Sequence, residues 1–274
     1  MSTTPPAPRG PQTLMEQLTL EPADGDRFRW PGGTERRVFG GMLVAHALGA
    51  AWTTVDPQRR PHALHASFVG SADGRRDLVY RVERTRDGGS FSARRVVASP
   101  AEGGPVFVLT ASFQASEEGE HYAPPPPPDV PGPEGLDEGR YAGPWFDSRD
   151  VPVDPAHGPH VRLAWFRSRQ PLPDDPALHL LALAYLSDHG PTRAVRQPHA
   201  DHPGVEQRMS VSLDHSVWFH RDARVDQWVL SELRPLTTGA GRGLALGSLR
   251  SADGDLLATV TQEALLRLPD KPGR

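Results

Sequence analysis

Two stretches of this chain have the spacing of a helix but no polar face. Residues 38–55, VFGGMLVAHALGAAWTTV, are dominated by alanine, leucine and glycine. Residues 173–188, PDDPALHLLALAYLSD, bring a capping aspartate, a proline near the first turn and a continuous apolar run. A helix that is apolar all round cannot lie on a surface and has to be covered on every side. Strands supply the cover both times. After the first helix come ALHASFVG, DLVYRVERTRD, SFSARRVVAS and PVFVLTASFQA, rich in Val, Phe, Thr and Tyr and broken at DGG (87–89) and EGG (102–104) as hairpins are. In the second half VRLAWFRSRQ precedes the helix. RMSVSLDHSVWFHR, QWVLSELRPLTT, GRGLALGSLRS and DLLATVTQEALLRL follow it, the last two joined by SADG.

One buried helix wrapped by an antiparallel meander, given twice, predicts an α+β protein of double-hotdog type. Two tandem repeats, each a long helix wrapped by an antiparallel sheet, pack side by side as a pseudo-dimer. Between them ASEEGEHYAPPPPPDVPGPEGLDEGR is acidic and full of proline, a composition that makes extended, semi-rigid spacers. The expected division is a disordered N-terminus (1–12), a first hotdog domain (13–115), a Pro/Gly-rich linker (116–145) and a second hotdog domain (146–270) that carries the catalytic residues.

Charge and cysteine content narrow the chemistry. The formal net charge of −4 argues against nucleic-acid and anionic-membrane partners. The arginine pairs at 36–37, 59–60, 75–76 and 94–95 could meet the phosphates of a small molecule or simply be solvated. The 94–95 pair, adjacent on a strand, can offer only one member to a site. There is no cysteine, so disulfides, thiolate metal sites and a cysteine nucleophile are excluded. With no apolar core in MSTTPPAPRGPQ and no run of about 18 apolar residues, the expectation is a cytoplasmic protein.

The stretches VFGGMLVAHAL, RDGGSFSARRVVA, LTASFQA, LAYLSD, LDHSVWFHR and TVTQEALLR, in that order from about Leu14 to Leu268, resemble the acyl-CoA thioesterase II family of double-hotdog enzymes. The resemblance implies hydrolysis of acyl-CoA, or acyl-carrier, thioesters by an activated water, with no cofactor. It implies three catalytic residues: Asp188 at the end of the second helix, Ser212 on the next strand and Gln262 on the last. The chain departs from the family pattern at Met42, where glutamine is usual, and at Ser212, where threonine is commoner. It also departs in the short loop of His189, Gly190 and Pro191.

The residues can be weighed without the family. A buried carboxylate can act as general base, whereas a serine hydroxyl and a glutamine amide orient a water without titrating. Asp188 alone could be an exposed helix end, yet a carboxylate at a helix C-terminus has the wrong sign for the helix dipole, a penalty of about 0.3–1 kcal/mol. By strand parity Gln262 shares a face with Leu256, Ala258 and Val260, where an amide needs a partner. Ser212 alone is equally at home as an ordinary strand serine. Gly40 and Gly41, opening the first helix, are candidate substrate-binding donors for the thioester carbonyl; close helix packing explains them equally well.

Matching AAWTTVDP to LAYLSDHGP sets Val55 opposite Asp188, and matching ALHASF to DHSVWF sets His62 opposite Ser212, with Ser112 or Gln114 on the face of Gln262. The first half then lacks the carboxylate, and one active site per chain is expected. HGPH (157–160) and HADH (199–202) lie in loops without a clear third ligand, so no metal site is expected. Asp214 and His215, neighbours on a strand, point to opposite faces; His215 reads as a packing or sheet-bonding residue, and Trp218 and Phe219 as core and interface. No GxSxG elbow is present. Two other functions stay open: a hotdog enoyl-CoA hydratase, and an acyl-thioester binding protein without turnover. Self-association is expected from the exposed edges of the fold.

Overall fold

The computed structural model describes residues 13–127, 129–139, 143–152, 154, 157–201 and 209–267. The N-terminus expected to be disordered (1–12) lies outside them, as do residues 128 and 140–142 of the linker, His202 and everything beyond Arg267.

In chain order the elements are α1 (Leu14–Leu18), β1 (Glu21–Pro22), β2 (Arg27–Trp30), α2 (Gly40–Trp52), β3 (Arg59–Phe68), β4 (Leu78–Asp87), β5 (Phe91–Pro100) and β6 (Phe107–Ala115). The second half has β7 (Phe146–Asp150), β8 (Arg162–Ser168), α3 (Pro176–Ser187), α4 (Pro191–Ala194), β9 (Met209–Ser212), β10 (Asp214–Phe219), β11 (Val229–Gly239), β12 (Arg242–Ser251) and β13 (Leu256–Arg267). Both apolar helices form where expected. Asp175 caps α3 by accepting from the Ala177 N–H at 2.9 Å, with Pro176 in the first turn. Short pieces with too few residues to show a period, namely α1, β1, β2, β7 and α4, were not legible in the sequence.

The strands form one thirteen-stranded sheet in the order β1-β2-β4-β5-β6-β3-β10-β13-β12-β11-β8-β7, with β9 also on β13. Its seam is the antiparallel pair β3–β10, where Leu64 faces Val217 and His65 faces Ser216. A hotdog from each half is thus joined edge to edge, which gives the double hotdog. Within the curl of the sheet α2 and α3 pack on one another, and Val44, Leu48, Leu183 and Ala184 are fully buried between the sheet and the partner helix.

The proline-rich segment does more than span a gap. The Pro124 carbonyl accepts from Arg250 Nη2 at 3.1 Å and the Pro131 carbonyl from Trp165 Nε1 at 2.9 Å. Val130 and Leu136 pack on Val151, Leu163, Trp165 and Leu230. Those residues make a small apolar cluster apart from the main core, and the segment helps cover it.

Parity fails at one point of β13. Ala258, Val260 and Gln262 are buried as counted, but Leu256 is not and Leu257 is. A register shift between Leu249 and Arg250 of the facing strand accounts for it, because an irregularity in the ladder resets the alternation.

His46 ties three elements together. From α2 its Nε2 lies 2.7 Å from the Gln17 carbonyl of α1 and its Nδ1 3.1 Å from the Tyr80 hydroxyl of β4. Burial pushes its pKa from 6.5 down to about 4. A histidine kept neutral in the fold takes up a proton on unfolding, so its stabilisation is complete above pH 6.5 and is lost as pH falls towards 4. In a His46→Gln variant the pH slope of the unfolding free energy near pH 5 should shrink by about 1 kcal/mol per pH unit. Chemical denaturation at stepped pH measures this slope; an unaltered slope would contradict the assignment.

Candidate active site

The two buried helices run antiparallel, and the start of α2 abuts the end of α3. Asp188 is the C-cap of α3. The chain then turns through Gly190 at φ +106°, a conformation open to glycine, and Pro191 starts the next short helix. The turn leaves the Asp188 side chain against the first residues of α2. A Cβ on Gly40 would fall 2.5 Å from Asp188 Oδ2 and 2.9 Å from the Phe68 ring, and one on Gly41 would overlap the Tyr185 carbonyl. The pair of glycines is what lets the helices meet at this point.

This contact alters the electrostatic argument drawn from sequence. Asp188 does sit at the unfavourable end of its own helix. It also sits at the N-terminus of α2, whose unpaired N–H groups favour negative charge, and the Gly41 N–H hydrogen-bonds towards it. Burial nevertheless dominates and pushes the carboxyl from 3.8 up to about 7, against the opposing hydrogen bonds of the Gln262 amide, the Gly41 N–H and the Ser212 hydroxyl. The residue is 8% exposed.

Gln262 and Ser212 reach this carboxylate from the sheet. Gln262 is fully buried on β13, and its Nε2 donates to Ser212 Oγ at 2.7 Å. Residues 212 and 215 differ by an odd number, so a regular strand would aim them to opposite faces. Both nevertheless contact Gln262. The reason is a bulge: Ser212 pairs with Ala264 and Ser216 with Thr261, four residues against three. Leu213 lies between the two strands, and Asp214 Oδ1 accepts the Glu263 N–H at 3.0 Å. Asp214 therefore serves the backbone of the bulge. His215 points inward, as parity with buried Val217 and Phe219 requires, and its Nδ1 lies 2.6 Å from Gln262 Oε1 while its Nε2 lies 2.8 Å from Ser187 Oγ. Sequence reasoning placed His215 in the sheet but missed this contact, because a one-residue bulge leaves no mark on composition. Phe219 is core, and Trp218 lies edge-on to His65 on the other face.

The structure thus brings together Asp188, Ser212, Gln262 and the glycine pair. Gly41 and Gly40 come from the first repeat, the other three from the second. Val55, the residue matched to Asp188, has no carboxylate, and α2 ends before it at Trp52. The match of His62 to Ser212 is corrected: setting ALHASF on DHSVWF residue by residue pairs Leu64 with His215, both fully buried, and brings His62 opposite Leu213, one residue past Ser212. His62 instead bonds Ser112 across β3–β6, Nε2 to Oγ at 2.7 Å.

His189 fills the space behind the short loop. Its ring packs on Phe39 at 4.5 Å and on Tyr185 at 5.5 Å, and burial, with the Arg162 charge adding to it, lowers its pKa to about 4. Met42 is buried against the Gln17 amide. Met42 lines a cavity of ≈ 350 Å³ whose walls also include Trp30, Phe39, Trp145 and Tyr185, and His189 packs on two of those walls, Phe39 and Tyr185. Of the paired arginines, Arg94 is buried and spends its donors on Thr54, Arg86, Ala93 and Asp87, while Arg95 is exposed near Glu83. No group of three or more potential metal ligands occurs among the described residues, and no helix among them is long and apolar enough to cross a membrane.

Comparison with known proteins finds likenesses over most of the chain. Residues 28–114 match the family model described as the acyl-CoA thioesterase N-terminal domain, and residues 117–266 match the acyl-CoA thioesterase C-terminal domain. Acyl-coenzyme A thioesterase 8 of Homo sapiens is 34% identical over 284 residues, covering 92% of this chain and 88% of the relative. Acyl-CoA thioesterase 2 of Haemophilus influenzae is 33% identical, covering 94% and 98%. Among solved structures, the acyl-CoA thioesterase II TesB2 from Mycobacterium marinum superposes with a TM-score of 0.80 at 36% identity, covering 95% of this chain and 99% of that one.

A carboxyl whose pKa is raised by the fold destabilises it once ionised. The penalty is absent below about pH 3.8, grows as pH rises and is complete above about 7. An Asp188→Asn variant should therefore be more stable than the wild type at pH 8.5, by about 4 kcal/mol, with the difference vanishing towards pH 4. Urea unfolding at the two pH values decides; equal stability at both would mean that Asp188 titrates as an ordinary aspartate.

Proposed function

Since the chain belongs to the acyl-CoA thioesterase family, and is thus a thioester hydrolase, we propose that it cleaves acyl-CoA by direct attack of a water activated by Asp188 and oriented by Ser212 and Gln262. The observation that carries this reading is the convergence of three side chains from α3, β9 and β13 on one point, with the carboxyl poised near neutrality. A base works best when its pKa lies near the working pH. Ser212 and Gln262 offer a hydroxyl and an amide that hold the water without taking its proton.

In the proposed reaction the water oxygen bonds to the thioester carbon while Asp188 takes a proton. The carbonyl oxygen becomes an oxyanion at the start of α2. Because the Gly41 N–H is engaged by Asp188, we assign the oxyanion to the Gly40 N–H. Collapse breaks the C–S bond, and the proton on Asp188 passes to the departing sulfur, giving free acid and CoA. The route needs no cofactor. We assign the acyl chain to the cavity beside Phe39, Met42 and Tyr185. The same reading divides the chain into hotdog domains at 13–115 and 146–270 around a linker at 116–145. It makes the second domain the bearer of the trio and places the enzyme in cytoplasmic fatty-acid metabolism.

The test is thiol release from short, medium and long acyl-CoAs. Asp188→Asn should lower kcat by about 10³-fold or more, and Ser212→Ala and Gln262→Ala by about 10- to 100-fold each. In the wild type kcat/KM should rise with pH to a plateau, half-maximal near pH 7, because the base must be ionised. Undiminished turnover in Asp188→Asn would remove Asp188 as base, and bound acyl-CoA with no turnover in the wild type would indicate a binding protein.

A further inference from the structure

Gln262 can hold a water and a carboxylate only if its amide is the right way round. Its nitrogen must face Ser212 and Asp188, because a swapped amide would turn Oε1 onto the carboxylate. The nitrogen has two hydrogens; one lies on Ser212 Oγ at 2.7 Å, and the amide also stabilises ionised Asp188. Neither contact enforces the orientation by itself, since a hydroxyl can donate as well as accept. The other end of the amide settles it, and there Oε1 lies 2.6 Å from His215 Nδ1.

A neutral imidazole carries its single N–H on one nitrogen or the other. With the hydrogen on Nδ1, His215 donates to Gln262 Oε1 and its Nε2 accepts from the Ser187 hydroxyl at 2.8 Å. With the hydrogen on Nε2, the Nδ1 lone pair would face the amide and attract its nitrogen, reversing the side chain. Ser187 Oγ also lies 2.7 Å from the Ala184 carbonyl, which competes for the same proton. The carboxylate breaks the tie. Ionised Asp188 only accepts, and every donor behind it then points the same way: Ser187 to His215, His215 to Gln262, Gln262 to Ser212, Ser212 to Asp188.

We propose that His215, as the Nδ1–H tautomer with its Nε2 against Ser187, is a positioning residue that fixes the Gln262 amide with its nitrogen towards Ser212 and Asp188. The proposal rests on the trio assigned under Proposed function. His215 is fully buried, and that burial keeps its pKa at about 4, so the ring is neutral throughout the range in which Asp188 ionises. Of the nearby titratable groups, Asp214 is turned to the Glu263 N–H and Tyr185 lies on the Asp188 side.

The experiment compares His215→Leu, His215→Asn, Gln262→Ala and the double variant His215→Leu/Gln262→Ala, each checked for folding by circular dichroism. Leucine removes the donor, whereas the asparagine amide nitrogen can occupy the place of Nδ1. His215→Leu should lower kcat by about 10- to 100-fold with KM changed less than about twofold. It should also move the acid limb of the kcat/KM profile up by about one pH unit, because a reversed amide no longer favours the ionised carboxylate. His215→Asn should recover most of the loss, and the double variant should be no slower than Gln262→Ala alone. Equal losses in the leucine and asparagine variants without a shifted acid limb, or losses that multiply in the double variant, would overturn the positioning role. A slow Gln262→Ala beside an unimpaired His215→Leu would overturn it too while leaving the trio intact. Full activity in Gln262→Ala would remove the trio reading itself.

Discussion

The structure depends on one close approach: the N-terminus of α2 laid against the C-terminus of α3, with nothing but glycine hydrogens between them. Gly40 and Gly41 sit where any side chain would strike Asp188, Phe68 or the Tyr185 carbonyl. The contact sets the ends of two helices from different repeats side by side. It turns a carboxylate that its own helix disfavours towards N–H groups that favour it. Burial of both helices follows from the same arrangement, since each is one wall of the other's enclosure.

Much of this was legible. Two helices without a polar face and the strand runs around them required a wrapped, duplicated architecture, and the family resemblance pointed to Asp188, Ser212 and Gln262. What could not be read was the geometry that makes them neighbours. Counting alternate residues works while a strand is regular. It failed at Leu256, where the ladder slips, and across Ser212 to His215, where a bulge lets both residues meet Gln262. The glycine pair was visible as an unusual helix start, but its partner across the interface lies more than 140 residues away in the chain, beyond the reach of any local pattern. The proline-rich segment read as a spacer because composition reports stiffness; it does not report which apolar cluster the segment will cover.

The polar residues in this core come at a cost to stability. Asp188, Gln262, His215 and Ser187 are buried, and an unpaired polar group in such a place is destabilising. Their hydrogen bonds run in series from Ser187 through His215 and Gln262 to Ser212, and the one group whose pKa rises towards neutrality, Asp188, stands at the end with its buried Oδ1 unpartnered. At His46 the buried polar side chain is instead closed off by fixed partners, Gln17 and Tyr80. Stability and reactivity therefore pull in opposite directions at Asp188.

The seam between β3 and β10 has a further consequence. Where two separate subunits must meet to complete a site, the fraction of complete sites falls as the protein is diluted. Here the helix start and the helix end that meet at Asp188 travel on a single polypeptide, at an effective concentration set by the chain itself. Assembly of that junction is a first-order event, finished when the chain has folded, and it is as complete in a cell holding a few copies as in one holding thousands.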